Sequence, residues 1–112
     1  MTALTILAQL QEAVPHFHID PEWLEDNLTY PAINDFARYI CSEAAVSSTA
    51  GSPRDDLRRA VTFLEEALRR GDAGVRDLVL ECLETLRVCD SMGLVSEYFG
   101  PKTQDLWATL PS

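Results

Sequence analysis

Between Met1 and Asp35 the chain carries no lysine or arginine, and over its 112 residues bases number 9 against 18 acids, a net charge of −9. Phosphate contacts need a basic surface, so a nucleic-acid partner is not expected. Long hydrophobic runs are also missing, and no basic segment precedes the apolar positions of Met1 to Val14. We therefore expect neither a membrane span nor a signal peptide, and a cytoplasmic protein. The three cysteines, Cys41, Cys82 and Cys89, are odd in number, lack C-x-x-C spacing and fall within helical patterns. That usage predicts small buried hydrophobes in a reducing compartment rather than a disulfide or a metal site. Glycine is scarce, five in all, and none builds a phosphate-cradling loop. Ser91, Ser96 and Cys89 have no histidine or glycine-rich elbow nearby in sequence. Neither a cofactor nor an enzymatic activity is expected.

Strand alternation and hairpin dipeptides are absent as well, while helix punctuation is frequent, so the expected class is all-α. With 46% hydrophobic residues, the chain suits one domain, residues 1–112, folded as a compact bundle of about five to seven helices. A first helix is expected from Thr2 to about Ala13, with Leu4, Leu7, Ala8 and Leu10 on one face, ending before Pro15. A short second helix opens at Asp20-Pro21-Glu22, where Asp20 can cap, Pro21 suits the first turn and Ile19 can staple onto Leu24. A third starts at Tyr30-Pro31 and buries Ile33, Phe36, Ala37, Ile40, Cys41 and Ala44. Ser47 to Ser52 reads as a loop.

The fourth helix carries the fullest signals. Ser52 caps and Pro53 starts it, Asp55 and Asp56 complement its positive end, Arg69 and Arg70 its negative end, and Gly71 stops it. Asp55 with Arg59, Glu65 with Arg69 and Glu66 with Arg70 are spaced as i,i+4 ion pairs. Asp72 then caps a fifth helix whose buried face is Val75, Leu78, Val79, Cys82, Leu83 and Leu86, antiparallel to the fourth. A break at Ser91-Met92-Gly93 precedes a short helix ending at Tyr98-Phe99. Gly100-Pro101 restarts the chain for a last helix, with Trp107 as a core plug and Pro111 as its end.

Charge is unevenly placed. Residues 1–52 hold seven acids and one base, whereas residues 53–87 hold eight acids and seven bases. Asp20, Glu22, Glu25 and Asp26, with Asp35 and Glu12 as further candidates, form an acidic patch whose charges have no local base to meet. Such a patch either attracts a basic partner and speeds its association, or is a solvated face that keeps the chain soluble. Trp23 and Tyr30 flank it, as interface anchors or, for Trp23, as core. His16 and His18 point the same way on an extended segment, but no motif supplies further metal ligands, so both read as loop residues. Glu81 and Glu84 lie off the apolar stripe with Arg87 nearby, and read as a solvated face.

Gly71-Asp72-Ala73-Gly74-Val75-Arg76-Asp77-Leu78 resembles the inner-helix start of HEAT-like repeats, which implies an antiparallel HEAT-like hairpin. The absence of tandem copies points to a compact domain rather than a solenoid. A broader series is Asp35-Phe36-Ala37-Arg38-Tyr39, Phe63-Leu64-Glu65-Glu66, Gly71-Asp72 with Val75-Arg76, Leu83-Glu84, and Tyr98-Phe99-Gly100-Pro101-Lys102-Thr103 with Leu106-Trp107. It resembles an uncharacterised family of small bacterial helical proteins suspected to be immunity proteins, encoded beside polymorphic toxins that they neutralise by direct binding. The resemblance implies no catalytic residues. The expected function is therefore that of an immunity or inhibitor protein binding a cognate basic toxin domain through Asp20, Glu22, Trp23, Glu25, Asp26, Tyr30 and Asp35. The alternative is a helical adaptor that packs on a larger assembly, or on a second copy of itself as a homo-oligomer, through the apolar surface near Leu94, Tyr98 and Phe99.

Overall fold

A computed structural model describes residues 1–51, 54–90 and 93–110. These form six α-helices and one 3-10 turn: α1 Ile6–Ala13, α2 Pro21–Glu25, α3 Thr29–Ala50, α4 Asp55–Arg70, α5 Ala73–Cys89, the 3-10 turn Ser96–Tyr98, and α6 Pro101–Ala108. The described residues contain no strand, and the fold is an all-α bundle. Its radius of gyration of 13.0 Å equals that expected of a compact chain of this length. None of the described helices is long and apolar enough to cross a membrane.

The long helix α3 is the centre of the bundle. Small residues on its buried side, Ala32, Ala37 and Ala44, alternate with Ile33, Phe36 and Ile40, so neighbouring helices approach closely between larger knobs. Its most extensive partner is α5, which buries the six residues its periodicity predicts: Val75, Leu78, Val79, Cys82, Leu83 and Leu86. Contact between α4 and α5 is less extensive, so the stripe of α5 serves α3 more than its neighbour in sequence. A polar tie crosses the same interface, where Thr85 Oγ1 donates to Asn34 Oδ1 at 2.6 Å. Phe17, Phe36, Tyr39 and Phe63 stack at centroid distances of 5.2 to 6.3 Å and join the α1–α2 loop, α3 and α4. Gln11 bridges the loop that delivers Phe17: it donates to Phe17 O at 2.8 Å and accepts from Ile19 N at 3.2 Å.

Several expectations change in three dimensions. The first helix starts at Ile6, not Thr2, and buries Ile6, Leu7 and Leu10, while Leu4 and Ala8 face solvent. Segment 47–50 belongs to α3 rather than to a loop; Gly51, at φ 80°, ends the helix in a left-handed conformation that glycine adopts without a Cβ clash. Ser47 is buried there, and its Oγ accepts from Arg54 N at 3.0 Å. Ser52, Pro53, Ser91, Met92 and Pro111, expected as cap, starts, breaks and ends, lie outside the described residues. The predicted Glu65–Arg69 pair forms at 3.2 Å, but Asp55–Arg59 and Glu66–Arg70 do not close within ion-pair distance.

The cysteine expectation also fails for two of the three residues. Packing of α3 on α5 sets the Cα atoms of Cys41 and Cys89 6.5 Å apart, and the two are joined as a disulfide. No spacing signal could reveal it, because 48 residues separate the pair and only tertiary packing brings them together. Cys82 is the buried hydrophobe foreseen; burial, with a smaller contribution from Glu81, pushes its thiol pKa far up and keeps it protonated.

Candidate protein-interaction surface

The acidic segment is built from a helix too short to hide a face. Asp20 caps α2, its Oδ1 accepting from Glu22 N at 2.9 Å, and Pro21 occupies the first turn. After five residues the chain leaves the helix through Asn27, at φ 51°, a left-handed conformation that asparagine tolerates better than most residues. Asn27 Nδ2 donates to Ala3 O at 3.2 Å, and Leu28 N to Trp23 O at 2.8 Å, which fixes the turn into α3. No residue of α2 is buried. Trp23 is half-buried against the core and anchors the segment.

On the outward side stand Asp20, Glu22, Glu25 and Asp26, all exposed and without a basic partner within ion-pair distance among the described residues. Large apolar side chains lie beside them: Leu24, Leu28 and Tyr30 are 41%, 43% and 51% exposed. Leu4, 84% exposed, follows Ala3 in sequence, whose carbonyl accepts from Asn27 Nδ2. Ile19 is buried but Leu24 is not, so the expected staple does not pull Leu24 inward. Asp35 is half-buried farther along α3, and Glu12 faces elsewhere, onto a groove between α1 and α4. Sequence reasoning found the charges and missed the leucines. The signal lay in the shortness of α2, bounded by Asp20 and Asn27, which leaves too few turns for a buried stripe.

Elsewhere carboxylates are consumed by the fold. Glu65, expected only as the i,i+4 partner of Arg69, is 8% exposed and reaches the N-terminus of α6. It accepts from Thr103 N and Thr103 Oγ1 at 3.0 Å, from Lys102 N at 3.2 Å and from Arg69 Nε at 3.2 Å. It thus caps α6 from another helix, because Gly100 at the N-cap position has no side chain to do so. A Cβ on Gly100 would come within 2.6 Å of the Glu65 carboxylate, so the approach requires glycine. Burial works against ionisation of Glu65, but the hydrogen bonds from Thr103, Lys102 and Arg69 outweigh it and hold its pKa below the usual value. Asp90 acts similarly, accepting from Leu94 N at 3.0 Å and Val95 N at 3.1 Å.

His16 is a loop residue with a defined role: its Nδ1 lies 2.9 Å from Asp56 Oδ1 and clips the α1–α2 loop to the start of α4. Near this clip, Arg54 Nε lies 3.5 Å from Glu43 Oε2. Tyr39 has its hydroxyl buried and its pKa pushed up to about 12, first by burial and then by the Asp56 and Glu43 carboxylates, against Arg54. Among the described residues no group of three or more His, Cys, Asp or Glu is placed to hold a metal ion. Arg87, expected near Glu84 on a solvated face, instead stacks over the Trp107 ring at 4.2 Å and donates to Trp107 O at 2.9 Å. Phe99 is buried, and Leu94 and Tyr98 are half-buried against the core, so the apolar face suggested there is largely turned inward.

The surface at residues 20–30 thus combines uncompensated negative charge with exposed leucine and tyrosine on a segment anchored by Trp23. Comparison with protein-family models, with curated proteins and with solved structures finds no match to this chain.

Proposed function

We propose that this protein is a cytoplasmic immunity or inhibitor protein that neutralises a cognate bacterial toxin by binding a basic toxin domain through the surface at residues 20–30. The observation that carries the reading is the juxtaposition of exposed Leu24, Leu28 and Tyr30 with Asp20, Glu22, Glu25 and Asp26, none of which the fold uses in an ion pair among the described residues. Carboxylates at the rim raise the rate at which a cationic partner docks, and apolar side chains beside them supply the area that holds it. Trp23, tethered to the core, keeps the segment preorganised and lowers the entropic cost of binding. Asp35 contributes longer-range field from α3. In a reducing cytoplasm Cys41 and Cys89 would stand as a facing pair of thiols, and the α2 surface is held by contacts that do not involve them.

The test is size-exclusion chromatography of the chain with the product of the adjacent gene. A stoichiometric complex at micromolar concentration is the expected result, and separate elution of the two proteins would count against the proposal. A homodimer by light scattering with no affinity for that product would favour the adaptor reading.

A further inference from the structure

The acids of this chain outnumber its bases two to one, yet three of its arginines line one groove without an acidic partner among the described residues. Arg58, Arg59 and Arg70 line a groove of about 630 Å³ between α1 and α4, and none makes an ion pair or a side-chain hydrogen bond among the described residues. Met1 and Ala13 contribute apolar surface to the groove over the buried ring of Phe63, and Gln9 and Thr62 add uncharged polar groups. Glu12 and Glu66 also line it, beyond ion-pair distance of the arginines. A guanidinium left free in a chain rich in carboxylates is a donor fork held open.

The spacing of the arginines selects the kind of ligand. Arg58 and Arg70 are separated by twelve positions on α4, a rise of about 18 Å, and the adjacent Arg58 and Arg59 diverge by about 100° around the helix. A compact anion such as phosphate could not engage all three. An extended peptide advances about 3.3 Å per residue, so five or six residues match that length and place alternate side chains on opposite sides. Apolar residues would then lie over Met1 and Ala13 while acidic ones reach the arginines, and Glu12 and Glu66 would accept peptide N–H groups. Glu12 and Glu66 would repel a continuous phosphate backbone, which has no N–H groups to offer them, and this disfavours a nucleic-acid strand as the occupant. We infer that the α1–α4 groove is a second binding site, distinct from the α2 surface, that takes an extended acidic peptide segment of a partner protein.

The experiment is fluorescence anisotropy of the full chain with a labelled hexapeptide of alternating glutamate and leucine, alongside its glutamine–leucine counterpart, a labelled six-nucleotide single strand and inorganic phosphate as competitor. The acidic peptide should bind despite the overall negative charge. The double variant Arg59→Ala, Arg70→Ala should weaken it about five- to tenfold, the loss expected of two exposed charge pairs, with Arg38→Ala as the neutral control. Amide shifts on peptide addition should centre on Ala13, Thr62 and Phe63. Equal binding of the glutamine peptide, preference for the nucleotide strand, full displacement by millimolar phosphate, no binding of the acidic peptide, or no effect of the double variant would each overturn the inference. Circular dichroism of the double variant separates loss of binding from loss of fold.

Discussion

Glu65 and the carboxylates of residues 20–26 put one functional group to two opposite uses. Glu65 is buried and accepts four hydrogen bonds, three of which fasten α6 to α4 and one of which comes from Arg69 within α4, so its charge is spent inside the fold. Asp20 uses one oxygen on the cap of α2, and Glu22, Glu25 and Asp26 make no side-chain hydrogen bond or ion pair among the described residues. A carboxylate without a partner in the fold adds little to stability, and its field is free to act on another molecule. Stability and recognition are therefore placed on different acids, and substitutions should separate them.

The largest effect is expected at the structural pole. Glu65→Ala strands the buried amide and hydroxyl of Thr103, frees the part-buried amide of Lys102 and removes the side-chain cap that α6 has among the described residues, and should cost about 2–4 kcal/mol in urea unfolding. A loss under about 0.5 kcal/mol, typical of a surface site, would erase the contrast between the two regions. Next comes the disulfide, which also belongs to the structural side. Reduction of Cys41–Cys89 opens a loop closed across 48 residues and should cost about 2–4 kcal/mol, without changing binding at residues 20–30. Loss of partner affinity on reduction would instead couple the α3–α5 staple to the α2 surface.

Acid titration sharpens the same comparison. The folded-state pKa of Glu65 lies below its unfolded value, so its contribution to stability is fully present above the unfolded pKa of about 4.3 and is lost as pH falls through the folded value. Urea midpoints measured from pH 6 downward should fall in that acidic window, and the slope should flatten in Glu65→Gln. An identical slope in the variant would place the acid sensitivity elsewhere. The smallest stability effect is expected for Glu22→Lys with Glu25→Lys, a change of less than about 0.5 kcal/mol, because neither side chain has a partner in the fold to lose.

What the chain revealed by itself follows the range over which each feature is determined. The stripe of α5 and the Asp72 cap, whose Oδ1 accepts from Val75 N at 3.0 Å, depend on neighbours within one or two turns and were legible. So was the acidic excess before residue 35. For Glu65 only the local pair with Arg69 was legible, because its other partners lie 37 and 38 positions away, and a helical period cannot say that α6 will arrive over that face. The cysteine bridge and the arginine groove fail for the same reason: both exist only where two helices meet. Exposed Leu24 was hidden by the opposite assumption, that an apolar residue stapled beside a helix cap must be packed.

The central claim, that the acids of α2 serve a partner rather than the fold, is tested most directly by the association rate of the chain with the product of the adjacent gene, measured against ionic strength. Glu22→Lys with Glu25→Lys should slow association and flatten its salt dependence while unfolding stays unchanged. An association rate and salt dependence equal to those of the parent chain would contradict the account.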